Sequence, residues 1–130
     1  MLDTDICSFI LKRSNERLIE RLRRTPVADT CISVITKAEL LYGVDVSPRH
    51  KADEAAVAGF LQYMAVLDLP DEAAQHYATI RSHSKRKGAT IGANDLLIAA
   101  HARCLGLTLV TNNTDEFRRV PHLRLENWAA

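Results

Sequence analysis

Short apolar runs and longer amphipathic stretches alternate along the chain. CISVI (31–35), VLDL (66–69), LTLV (107–110) and LRLEN (123–127) read as strands or strand ends. Between them, helical patterns cover 15–24, 36–44, 49–64, 71–87 and 94–105. Strands alternating with helices predict a parallel sheet with helices on both faces. The stretch LLIAAHARCLG (96–106) is apolar almost all round, as a buried helix is, and Gly106 supplies its C-terminal stop. With 130 residues and no repeat, linker or low-complexity tract, one domain over 1–130 is expected.

That pattern gives the opening MLDTDI a meaning. If Leu2 ends a short first strand, Asp3 lies at the strand's carboxyl end, the edge where open α/β sheets bind ligands. Three other acidic positions recur in similar places. Glu39 follows the strand at 31–35, Asp95 opens the buried helix, and Asp115 and Glu116 lie in the loop after the strand at 107–110. Brought together, they repel: two carboxylates about 4 Å apart cost roughly 4 kcal/mol at an effective dielectric near 20. A divalent cation removes that penalty, and oxygen-only ligands suit Mg²⁺ or Mn²⁺ rather than zinc. Such an ion activates water and supports in-line attack on phosphorus.

Each acid also has a structural reading. Thr36 and Glu39 match a capping box, with Thr36 at the cap. Asp95 would complement a helix N-terminus, Asp5 would cap a helix over ICSFILK, and Asp115 and Glu116 would be plain loop acids. Spacing does not choose between these readings; joint placement at one sheet edge favours a site.

The net charge of +1 says nothing about partners, but its distribution does. Arg13, Arg17, Arg21 and Arg24 form one helical stripe, and Arg81, Lys85, Arg86 and Lys87 cluster without an acid among them. Either group is a solvated helix face or a phosphate-binding surface; beside a metal site, the second reading points to a nucleic acid rather than a small molecule. The three cysteines form no CxxC pair and read as buried free thiols in a reducing compartment. The five histidines show no metal-ligand spacing, His101 reads as a core residue, and Trp128 as a seal on the core. No signal-peptide pattern or membrane-length apolar run is present, so a soluble cytoplasmic protein, with no membrane partner, is expected.

MLDTDI, SVITKAELLYGV, IGANDLLIAAHA and LVTNNTDEFRRVPHLRLENW together resemble the VapC toxins of the PIN-domain nuclease family, in order and spacing from residue 1 to about 128. The resemblance implies a PIN-like three-layer α/β/α sandwich with a central parallel sheet. It implies a Mg²⁺-dependent endoribonuclease, with Mn²⁺ as substitute, that cuts tRNA or rRNA and halts translation. It implies a VapB-type antitoxin, a homodimer, and contact with operator DNA only through the antitoxin. By motif, Asp3, Glu39 and Asp95 match the family's core carboxylates, with Thr4 placed to orient the first. The fourth position departs: Thr111-Asn112-Asn113 puts Asn113 where many relatives carry Asp, so the site is completed either by Asn113 holding a water or by Asp115 or Glu116 in its place. An antitoxin arginine placed among the carboxylates, and an amphipathic segment laid along the helices between 36 and 64, would inhibit it.

Two rivals remain at this level. LDTDI also resembles the opening motif of haloacid-dehalogenase-type phosphatases, with Asp3 as nucleophile, although Cys7 stands where Thr or Val belongs, the chain is short for that fold, and Glu39 would have no role. The other rival is a non-enzymatic regulatory module whose acids are structural.

Overall fold

A computed structural model describes all 130 residues. Its elements run α1 (Thr4–Lys12), α2 (Glu16–Arg24), a 3₁₀ turn (Val27–Asp29), β1 (Cys31–Ser33), α3 (Val34–Val46), α4 (His50–Tyr63), β2 (Ala65–Leu67), α5 (Ala73–Arg86), α6 (Ala93–Cys104), β3 (Leu109–Val110), α7 (Thr114–Phe117) and β4 (Leu125–Glu126). β1 pairs in parallel with β2, and β3 with β4.

Met1–Asp3 joins these two ladders into one sheet. The Leu2 N–H donates to the Cys31 carbonyl, the Asp3 N–H to that of Val110, and the Val110 N–H to that of Met1. Leu2 bridges Val110 in parallel, which gives the order β2, β1, the N-terminal segment, β3, β4. The first residues of the chain are therefore central, and both Met1 and Leu2 are buried.

Successive strand residues face opposite ways, and the core divides accordingly. Met1 and Leu109 pack with Ile80 of α5, Leu96 and Ile98 of α6, and Phe117. Leu2, Ile32 and Val110 pack on the other face with Ile6, Leu18, Leu40, Val57 and Trp128. This is the expected α/β/α sandwich. No helix is long and apolar enough to cross a membrane.

Most anticipated elements are present, with shifted ends. The first internal strand stops at Ser33, because β1 meets β2 over three residues only and Ser33 Oγ accepts from the Ile35 N–H to start α3. Thr36 is consequently inside α3 and buried, and the capping-box reading of Thr36 and Glu39 is wrong. Asp5 is not a cap either: Asp3 Oδ1 accepts from the Ile6 N–H at 2.9 Å and starts α1. The loop at 114–117 is a helical turn. Of the three free cysteines only Cys7 is fully buried; Cys31 and Cys104 are partly exposed.

Gly106 ends α6 as expected. Its φ of +67° belongs to the left-handed region, and the bonds Gly106 N–H to Arg103 O and Leu107 N–H to Ala102 O close the last turn. His101 is fully buried on α6, with Nδ1 2.8 Å from Ser33 Oγ. Trp128 is buried under the Arg21 guanidinium, which sits 4.9 Å from the ring centre.

Candidate active site

The carboxyl edge of the sheet collects acids from four separate stretches. Asp3 follows the central strand segment and is 2% exposed. Burial raises its pKa to about 6, against the opposing hydrogen bonds from Thr111 and the Ile6 amide; Asp5 and Glu39 add to the rise. Asp95 stands in the first turn of α6, where a helix N-terminus on its own would lower a carboxyl pKa. The pKa is instead raised to about 7, first by burial and then by the charges of Glu116, Asp3, Asp5 and Glu39. Asp95 therefore stands among other acids at this edge as well as at a helix N-terminus.

Glu39 projects from α3 into the same region. Thr4 Oγ1 donates to Glu39 Oε1 at 2.6 Å, and its oxygen lies 3.2 Å from Thr36 Oγ1. Asn94 Nδ2 donates to Glu39 Oε2 at 3.3 Å. Thr4 thus orients Glu39, not Asp3, whose Oδ1 accepts from the Ile6 N–H; the buried Thr111 lies beside Asp3 and opposes the rise in its pKa. Asn94 and Thr111 escaped the sequence reading because short polar residues beside a motif acid carry no periodic signal.

The structure also separates the two loop acids. Asp115 is exposed and pairs with Arg118 on its own helical turn. Glu116 turns the other way: Asn113 Nδ2 donates to its Oε2 at 2.6 Å, and the Gly92 N–H to its Oε1 at 3.3 Å. The pairing with Gly92 ties the loop after β3 to the entry of α6.

No Lys, Arg or His forms an ion pair with Asp3, Glu39, Asp95 or Glu116. The donor set is all carboxylate and uncompensated, which fits a hard divalent cation. No three of these side chains converge within ligating reach as folded.

The two basic groups differ. Arg17, Arg21 and Arg24 of α2 line an open depression of about 830 Å³ together with Arg13, Asn127 and Trp128. The four arginines are not one helical stripe: Arg13 ends α1 at a φ of +51°, and the chain breaks there before α2 begins. Glu16 and Glu20 share that wall, Arg21 pairs with Glu126 at 3.2 Å, and Arg24 with Glu20 at 3.7 Å. On α5, Arg81 donates to the Tyr77 hydroxyl at 2.9 Å, while Lys85, Arg86 and Lys87 are exposed and free of ion pairs.

Comparison with known proteins agrees with this architecture. Residues 1–123 match the PIN domain family. The chain is 42% identical to the tRNA(fMet)-specific endonuclease VapC of Salmonella typhimurium, over 98% of this chain and 96% of the relative. It is 41% identical to the ribonuclease VapC2 of Haemophilus influenzae over the same shares. Among solved structures, DNA-bound VapBC from Salmonella typhimurium contains a chain that superposes with a TM-score of 0.92 at 42% identity, covering 98% of this chain and 96% of that one. VapBC2 from Rickettsia felis, bound to a promoter DNA fragment, gives 0.91 at 38% identity, with 98% and 97% covered.

Proposed function

The chain belongs to the PIN-domain family, and on that premise we propose that it is a divalent-metal-dependent endoribonuclease, the toxin of a VapBC-type toxin–antitoxin pair. The observation that carries this reading is Asp95: a carboxylate with a raised pKa, facing Asp3, Glu39 and Glu116 with no cation bonded to any of them. The phosphatase alternative is set aside by the family assignment and by Asp3, which is tied to Ile6 and Thr111.

In this proposal Asp3, Asp95 and Glu39 hold Mg²⁺, or Mn²⁺ in its place, and Glu116 rather than Asp115 is the further acid. Once bound, the ion offsets the carboxylate charge and polarises the phosphodiester. Thr4 fixes one Glu39 oxygen with a short hydrogen bond. The other, Oε2, has only the long Asn94 bond and is the atom that accepts the proton of the attacking water. Asn113 takes no proton; its amide braces Glu116. Arg13 at the end of α1, Arg17, Arg21 and Arg24 on α2, and Arg81, Lys85, Arg86 and Lys87 on α5 and its C-terminal cap neutralise RNA phosphates.

The relatives named for tRNA cleavage make tRNA the substrate class to try first, with arrest of translation in the cytoplasm as the consequence. A VapB-type antitoxin is the proposed inhibitor, and the exposed Leu41, Tyr42 and Val46 on α3 are an apolar surface for it. Operator DNA is then reached through the antitoxin, and the toxin itself is a homodimer.

The test is incubation of the chain, freed of any partner, with total RNA and Mg²⁺, followed by mapping of the new ends. Cleavage abolished by EDTA and by Asp95→Asn supports the reading. Cleavage that ignores both removes the active-site assignment, and absence of cleavage by the parent chain favours a regulatory module.

A further inference from the structure

Two cavities meet at Ser84 on α5. The larger, about 400 Å³, lies between α5 and the stretch that leads into α6. The smaller, about 270 Å³, is bounded by Lys87 and Arg119. Ser84 forms part of both walls; it is 5% exposed, and its hydroxyl has no hydrogen-bond partner.

The walls are chemically divided. Arg81 and Lys85 stand in the larger cavity, and no carboxylate lines either one. This sets them apart from the α2 depression, where Glu16 and Glu20 lie among the arginines. None of Arg81, Lys85, Lys87 and Arg119 is engaged in an ion pair. The opposite wall is apolar, from Ile91 and Leu96. Tyr77 holds Arg81 by its hydroxyl and places the guanidinium 5.9 Å from its ring centre, which presents a flat, preorganised cationic plane.

The position is equally informative. Ala93 is in the wall of the larger cavity, two residues before Asp95, and the preceding Gly92 donates its N–H to Glu116 Oε1. A ligand here sits beside the acidic edge.

We propose that this double cavity is a subsite for one unstacked nucleotide of a single-stranded RNA, next to the phosphodiester that is cut. The base lies between the Tyr77–Arg81 pair and the Ile91–Leu96 wall, the exposed Thr90 hydroxyl bonds its edge or its ribose, and Lys85, Lys87 and Arg119 hold the flanking phosphates. A bare anion would leave the apolar wall unused, and a duplex would not enter a recess of this size; single-stranded RNA offers a splayed base that stacks on arginine or an aromatic ring. This deepens the ribonuclease reading of the neighbouring acids and rests on it.

The test separates the two. The ¹⁵N-labelled full chain is titrated with each of the four ribonucleoside 5′-monophosphates and, separately, with inorganic phosphate. Saturable amide shifts at Tyr77, Arg81, Thr90 and Ile91 are expected, with inorganic phosphate at least about tenfold weaker and Arg81→Ala weakening the nucleotides by about tenfold. In cleavage of an oligoribonucleotide, Arg81→Ala raises KM by about tenfold and changes kcat far less. The dispersed spectrum of the variant establishes that it is folded. Phosphate binding as well as the nucleotides, or no shifts at those amides while the parent cleaves RNA, overturns the subsite and leaves the ribonuclease reading standing. Nucleotide shifts there in a chain that cleaves no RNA support the subsite and remove the ribonuclease reading.

Discussion

Thr4 Oγ1 and Glu39 Oε1 lie 2.6 Å apart, joined across 35 residues of sequence. The bond crosses from the first turn of α1 to the middle of α3, and it holds a carboxylate that would otherwise have free rotation at a charged edge. A hydrogen bond to a charged group contributes about 1.5–3 kcal/mol. Thr4 is therefore a positioning residue in our reading, and Thr4→Val is expected to lower kcat by roughly tenfold or more while Thr4→Ser keeps most of it. Equal kcat values for the parent and Thr4→Val, measured with saturating Mg²⁺, would show that Glu39 needs no such support.

Asp95→Asn separates a catalytic acid from a structural one. The raised pKa means that the ionised carboxylate destabilises the metal-free fold near neutral pH. Because Asp95 is partly exposed, solvent screening reduces the effect, and a gain of about 1–2 kcal/mol is expected for the variant in EDTA. Urea melts of the two chains read this directly. A variant that is inactive and also less stable would make Asp95 a structural residue.

The same groups set a pH dependence. Asp3 and Asp95 have folded pKa values near 6 and 7, above the ordinary 3.8, so the native state binds protons more tightly than the unfolded chain. Their contribution is favourable at low pH and is lost as pH rises through those values. Buried His101, whose pKa burial lowers, works in the opposite sense and weakens the fold below the ordinary histidine range. In EDTA, stability is expected to fall as pH rises from about 4, where the unfolded carboxyls ionise, to about 7, where Asp95 ionises in the fold, and Mg²⁺ should flatten that fall by favouring the ionised carboxylates. A slope unchanged by Mg²⁺ would mean that no ion binds these acids.

Ser33 bears two structural duties. Its hydroxyl accepts from the Ile35 N–H at the start of α3 and lies 2.8 Å from Nδ1 of the buried His101, whose Nε2 makes no well-formed hydrogen bond. Ser33→Ala removes the cap and orphans the imidazole, at an expected cost of about 2–3 kcal/mol. The readout is urea denaturation, with RNA cleavage below the melting transition retained. A loss under about half a kcal/mol would mean that the pocket rearranges around the imidazole.

Much of this was legible before any coordinates. Helix positions followed from apolar spacing, and the buried α6 from its unbroken run of Leu, Ile and Ala. The acids at strand ends pointed to the correct edge. The errors share one cause. Thr36 and Glu39 fit a capping pattern, but β1 runs out of partner after Ser33, so the helix begins earlier than its local signal suggests. Asp3 and Asp5 are both competent caps by residue type, and the strand pairing of Met1–Asp3 decides which one stands at the turn.

The alternation of apolar and polar positions, acting within one or two turns of chain, was sufficient by itself for the helices, the parallel α/β class and the acidic edge, because such patterns reflect which side of an element water must not reach. What only the folded chain decided was the chemistry between distant residues: that Thr4 holds Glu39 and Thr111 comes to lie beside Asp3, that Glu116 faces inward while Asp115 is spent on Arg118, and that Ser84 is left unpaired beside a basic cavity. Charge, burial and hydrogen-bond satisfaction depend on neighbours brought close by long-range pairing, and no local pattern encodes those.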